Sequence, residues 1–316
     1  MKPCCLLLAA ALGASSPAVA QWIDLFDGES LAGWRQLGGE ASYAAEEGAI
    51  VGRTAPNTPN SFLCTERHFG DFVLEYEFLV DPRLNSGVQV RSHSLAEHQD
   101  GRVHGYQIEI DPSPRAWTAG LYEEGRRGWL QNLADKPDAQ AAFKQGEWNR
   151  VRVEAVGQHF RTWLNGVPAV DHMDGMTASG FIGLQVHSVK TNDTLEVRWR
   201  NLRLREVPFE MDVTITNGGA EALAPAPLAA IIPGEHGPQS GALALGSGDA
   251  AVPVAFAAVD EGLLVQFTPA APLGPGESVT LPLRAVEGER AAVADPAALP
   301  YGVTITFTRT ALPDDN

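Results

Sequence analysis

Residues 102–130 read RVHGYQIEIDPSPRAWTAGLYEEGRRGWL. Within them Gln107, Glu109 and Asp111 alternate with Ile108 and Ile110, which predicts a strand whose polar side chains share one face while the apolar ones enter a core. A solvated sheet face ordinarily carries a scatter of Lys, Thr, Ser and Glu. This run passes instead into a loop bearing Trp117, Tyr122, Arg126, Arg127 and Trp129, which reads as the wall of a pocket.

The same short alternating pattern extends in both directions. Gly and Pro are plentiful, turn signals separate the apolar runs, and no long segment has helical period, so the chain is expected to be all-β. Up to about Val207 the candidate strands are Ala49 to Gly52, Phe72 to Val80, Gly87 to Arg91, Tyr106 to Asp111, Ala119 to Tyr122, Asn149 to Val156, His159 to Leu164, Gly180 to His187 and Leu195 to Arg205. That number suits a two-sheet sandwich. Asn165-Gly166 marks a tight hairpin, because both turn positions favour positive φ.

After Pro208, Arg and aromatic residues thin out and Ala, Pro and Gly dominate. Five runs (Glu210 to Thr216, Val252 to Ala257, Leu263 to Thr268, Ser278 to Arg284, Tyr301 to Arg309) predict a second, smaller β-sandwich over 208–316. It shows no chemistry of its own; His236 lies alone in a loop. An accessory role is expected: carbohydrate contact, surface attachment or dimerisation.

Residues 1–20, MKPCCLLLAAALGASSPAVA, have the pattern of a secretory signal cleaved before Gln21, which predicts a secreted or periplasmic protein whose first domain spans 21–207. Cys4 and Cys5 leave with the signal. Only Cys64 remains, so an internal disulfide and a Cys-based metal cage are excluded and the fold must be held by its core. A formal charge of −16 argues against nucleic acid and anionic membrane as partners, and no later apolar run is long enough to span a bilayer.

Three predicted strands carry polar residues at period two: Gln89 and Arg91, Gln107 and Glu109, Gln185 and His187. If these strands are neighbours, their outer faces form one patch of Arg, His, Glu and three Gln. Gln donates and accepts as hydroxyls require, Arg offers a forked cation for a keto or oxyanion oxygen, and Trp117, Tyr122 and Trp129 offer flat surfaces for a sugar ring. Glu109 and His187 are the groups able to move a proton near neutral pH. Asn85 is placed to turn its amide toward the same face, and Asp111 continues it. Arg150, Arg152 and Glu154 read as a cross-strand charge ladder on the far face, while Glu75 and Glu77 suit either a solvated strand or the cleft edge. A divalent metal on His93, His104 and Asp111 is conceivable, although their spacing matches no metal signature.

Six segments in order resemble a known family: LFDGESLAGW at 25–34, NSGVQVR at 85–91, HGYQIEIDPSPRAWTAGLY at 104–122, GEWNRVRVEAVGQHFRTWLNG at 146–166, GFIGLQVHS at 180–188 and RWRNLRLRE at 198–206. They look like the successive motifs of the 3-keto-disaccharide hydrolase domain. The resemblance implies a concanavalin/LamG-like jelly roll, exported, acting on glycosides oxidised at sugar carbon 3. Many members read Glu-x-Gln where this chain has Gln107-x-Glu109. A ketone at carbon 3 acidifies the proton on carbon 2, so a base can form an enolate and expel the carbon 1 substituent, after which water adds. The expected roles are Glu109 or His187 as base and the other as acid, with Arg91 and Gln107 or Gln185 at the enolate oxygen. The competing functions are a carbohydrate-binding module without turnover and an ordinary glycosidase or lyase on unoxidised glycan. A proton acceptor beside a cation favours catalysis.

Overall fold

The computed structural model describes residues 21–238, 241–294 and 298–309. The expected signal segment, residues 1–20, lies outside the described residues.

Two antiparallel sheets build the first unit. The back sheet runs, edge to edge, Val167–Met173, His159–Leu164, Asn149–Val156, Phe72–Val80, Glu196–Glu206, Ala49–Arg53 and Ser42–Glu46, with Ile23–Asp24 added beside Glu196–Glu206. The front sheet runs Gly128–Gln131, Leu121–Glu124, Val103–Ile110, Ser86–Ser94, Phe181–Val186, Ser61–Thr65 and Trp34–Gly38. Apolar residues at alternate positions of both sheets, among them Leu74, Tyr76, Val88, Val90, Ile108, Ile110, Ile182, Leu184, Trp199 and Leu204, meet in one buried layer. This is the two-sheet all-β sandwich that the alternation predicts, and the jelly roll that the family resemblance implies. The hairpin at Asn165-Gly166 forms as expected, with φ of 49° and 85°.

The outer face of the back sheet is a lattice of ion pairs. Glu75 takes Arg150 at 2.7 Å, Arg152 at 3.0 Å and Arg203 at 2.6 Å, and Glu154 takes Arg152 at 3.0 Å. Glu77 pairs with Arg200 at 2.7 Å. Glu75 and Glu77 therefore belong to the charge ladder and not to the cleft edge. Trp148 lies 4.0 Å beneath the guanidinium of Arg200 on the same face.

The described residues from Glu210 to Arg309 form a separate seven-stranded ladder in the order Leu228–Pro233, Gly262–Phe267, Val252–Val259, Ala242–Leu245, Ser278–Val286, Glu210–Asn217 and Val303–Arg309. The strand Val252–Val259 pairs with Ala242–Leu245 through its first residues and with Gly262–Phe267 through the rest. The sheet so turned encloses its own core around Met211, Val213, Ile215, Leu243, Val254, Leu263, Val265 and Leu283.

Candidate functional site

The three strands expected to be neighbours are neighbours: Val103–Ile110 pairs with Ser86–Ser94, which pairs with Phe181–Val186. Register places Gln185 opposite Gly87 and Gly87 opposite Glu109, while the next row holds Gly183, Gln89, Gln107 and Tyr122. Cross-strand partners share a face, so these residues form one outer patch on the front sheet.

A chain of amides crosses that patch. The Gln89 Nε2 donates to Gln107 Oε1 at 2.5 Å, Gln107 Nε2 donates to Glu109 Oε2 at 2.8 Å, and Asn85 Nδ2 donates to Glu109 Oε1 at 2.6 Å. At the far end the Ser92 hydroxyl lies 2.9 Å from Gln89 Oε1. Both carboxyl oxygens of Glu109 are thereby fixed by uncharged donors. The chain lies flat on the sheet because Gly87 has no side chain: a β-carbon there would sit 2.5 Å from Gln107 Cδ. Gly87→Ala is expected to lift Gln107 off Glu109 and to lower turnover by about tenfold or more through misplacement alone, read as kcat with the melting curve recorded alongside.

Burial pushes the Glu109 carboxyl up, against the hydrogen bonds from Asn85 and Gln107, to about 7. A carboxyl poised there holds or releases a proton under physiological conditions.

Beside this patch, walled by residues 59–62, 99–103 and 187–188, opens a hollow of about 730 Å³. Its wall includes Asn60, Phe62, Arg102, Glu124 and His187. Glu124 pairs with Arg102 at 2.8 Å, and Gln185 Nε2 reaches it at 3.5 Å. The Gln185 Oε1 is buried with no hydrogen-bond partner. Asn60, Arg102 and Glu124 were not picked out from sequence. The signal for Glu124 is the alternation Tyr122-x-Glu124, which continues the polar face onto the next strand.

Tyr122 and Trp129 oppose each other across their strands with ring centroids 5.2 Å apart, and Trp117 meets Trp129 edge-on at 4.9 Å. Arg115 stacks over Trp117 at 4.6 Å. An aromatic shelf thus continues the row that holds Gln107.

Arg91 does not join the patch. The pairing register slips between Val90 and His93, and Arg91 adopts φ of 46°, so its side chain leaves the outer face and is fully buried. Its guanidinium donates to Gly70 O at 2.7 Å, Gly157 O at 2.7 Å, Ala155 O at 2.9 Å and Asp71 Oδ1 at 2.9 Å. With every arm occupied by the protein, it has none for a substrate. Period-two counting fails here because a bulge inserts a residue into the strand.

Asp111 stays beside Glu109, close enough for its charge to push the Glu109 carboxyl up. It accepts from Ser113 N at 3.2 Å and Arg115 Nε at 2.7 Å and is buried, so it staples the loop that carries Trp117. Arg126 and Arg127 do not wall the pocket either: Arg126 pairs with Glu123 at 2.6 Å, and Arg127 holds Glu123 and, at 2.9 Å, Asp174. His93 and His104 approach with ring centroids 6.4 Å apart, but His93 Nε2 faces Ser179 O and His104 Nδ1 faces Arg102 O. Among the described residues, no three His, Cys, Asp or Glu side chains are grouped as a metal site.

The profile of the 3-keto-alpha-glucoside-1,2-lyase-like domain matches residues 21–205 of this sequence. The chain belongs to this family. No curated protein matches the chain. Among solved structures, a candidate glycosyl hydrolase from Parabacteroides distasonis ATCC 8503 is 21% identical, with 59% of this chain and 100% of that one covered at a TM-score of 0.42. A carbohydrate-binding module from Bacillus subtilis is 17% identical, covering 55% of this chain and 96% of that one at a TM-score of 0.42. A Bacillus subtilis protein of unknown function with a galectin-like fold is 12% identical, covering 56% and 90% at a TM-score of 0.43.

Proposed function

We propose that the protein is an exported carbohydrate-active enzyme that cleaves 3-keto-glycosides by removing the proton on carbon 2 and eliminating the substituent at carbon 1, with water then adding. The observation that carries this reading is the buried carboxyl of Glu109, both oxygens of which accept from side-chain amides, on the sheet that also borders the hollow; burial pushes it up to about 7. Membership of a family named for a lyase of 3-keto-α-glucosides supplies the substrate class.

The base is Glu109. Its two oxygens are pinned by Asn85 and Gln107, which leaves a fixed rotamer for attack on a carbon acid. The keto group at carbon 3 makes the reaction a proton transfer, so a paired carboxylate route through an oxocarbenium ion is not required. His187, in the hollow wall, is the group assigned to protonate the leaving oxygen. Donors for the enolate oxygen come from the amides of the front sheet and from Arg102, with Arg91 removed from that role. Tyr122, Trp129 and Trp117 are assigned to stack on the part of the substrate that departs.

The experiment incubates the protein with a 3-keto-disaccharide and with its unoxidised parent. Release of sugar from the keto form alone is the expected result; binding without release would make this a carbohydrate-binding module, and cleavage of the parent an ordinary glycosidase. Because the base acts deprotonated and its carboxyl titrates near 7, kcat is expected to rise with pH through about 7 and to level off above it. A profile flat from pH 5 to pH 8 would remove Glu109 from the base role. His187→Ala is expected to cost about two orders of magnitude in kcat with sugar leaving groups, and far less when the leaving group is a nitrophenol that departs without protonation.

A further inference from the structure

The strand that ends the described chain reaches into the first unit at one point. Arg309 donates through Nη2 to Asp71 Oδ2 at 2.7 Å, and its other arm pairs with Glu235. The opposite oxygen of Asp71 accepts from Arg91 Nη2 at 2.9 Å and from Gly157 N at 3.0 Å. Arg91, Asp71, Arg309 and Glu235 thus alternate in sign through a network whose first member is fully enclosed. Beside it Gln158 N donates to Gly234 O at 2.7 Å. Gly157 sits at φ 57°, and a β-carbon on it would lie 2.6 Å from that same carbonyl, so the approach is too close for any other residue.

Arg91 occupies the bulge that ends the regular pairing of its strand. The next residue, Ser92, faces the oxygen of Gln89, and from Gln89 the amide chain runs to Gln107 and Glu109. An unbroken set of bonds therefore links Arg309 to the carboxyl of Glu109. Among the described residues, neither Arg309 nor its partners Asp71 and Glu235 line the hollow.

We propose that residues 208–316 serve as an internal clamp on the candidate site: Arg309, through Asp71 and Arg91, fixes the bulge from which the Glu109 amide chain hangs, and is a positioning residue. The turnover arm of the test rests on the reaction proposed above; the protonation arm does not. Full-length Arg309→Gln and Arg309→Lys are compared with the parent and with Arg284→Gln, whose half-exposed side chain pairs with Glu210 of the same unit. Difference infrared titration against Glu109→Gln reports the protonation midpoint of Glu109.

In Arg309→Gln the midpoint is expected to move by about half a unit or more as the amide donors loosen. Its kcat is expected to fall about tenfold per folded molecule with KM within about twofold, the signature of a misplaced base and not of lost binding. Arg309→Lys is expected to recover most of both, and Arg284→Gln to change neither. Should Arg309→Gln fail to fold, Glu235→Gln loosens the same arginine while leaving its bond to Asp71, and is expected to shift both readouts in the same direction by less. An unchanged midpoint and kcat in the folded variant would overturn the clamp. If the parent does not cleave the keto-glycoside, the proposed reaction fails, and the titration still decides the clamp.

Discussion

Glu109→Gln is expected to abolish turnover and, above neutral pH, to make the protein more stable. The loss follows from the missing base, whose help is worth about two to four orders of magnitude. The gain follows from linkage. The carboxyl rises from its ordinary 4.5 to about 7 on folding because burial disfavours its charged form. A raised carboxyl contributes stability that is complete below about 4.5 and is lost as pH climbs through about 7, a difference of roughly 3 kcal/mol over that window. Gln carries no such burden. Urea unfolding should therefore show the variant ahead by up to about 3 kcal/mol at pH 8 and close to level at pH 5. Equal stability at both pH values would mean that Glu109 is not held against its preference, and would take with it the case for an activated base.

Arg91→Met is the second large effect, and it concerns stability before chemistry. Removing one member of a buried charged pair costs about 3–5 kcal/mol, the lower end applying here because Asp71 keeps Arg309 and the Gly157 N–H. Here the carbonyls of Gly70, Ala155 and Gly157 also lose their donors. Denaturant unfolding should report a loss of that size, with the slope unchanged. A residue acting on substrate from the outer face would instead leave stability intact and lower kcat alone. That outcome would restore Arg91 to the patch and contradict its position at the bulge.

The contrast between Glu109 and Arg91 shows what alternation can and cannot reveal. The pattern Gln107-Ile108-Glu109-Ile110 places Glu109 correctly because its strand keeps register with Gly87 through those residues. Arg91 follows Val90 with the same apparent period, yet one inserted residue at φ 46° reverses its direction. Nothing in the composition of VQVRSH announces a bulge, since the residue in the left-handed region is not a glycine. Long strands with flanking turns, such as Phe72–Val80 and Asn149–Val156, were legible to the residue. Short or polar ones, such as Ser42–Glu46 and Gly128–Gln131, were not, because too few apolar positions mark a face. Of the hollow's wall, His187 was read from the sequence, whereas Asn60 and Arg102 join it only through pairing of distant strands.

Because Gly87 lets Gln107 rest against the backbone, the amides around Glu109 are immobilised when the chain folds, before any ligand arrives. Their rotational entropy is surrendered once, during folding, and need not be surrendered again at each encounter. On the proposed reading, recognition at this face draws on a template that is already rigid. A sugar that fits the template should bind with little change in backbone order, and one that does not has few side chains free to accommodate it.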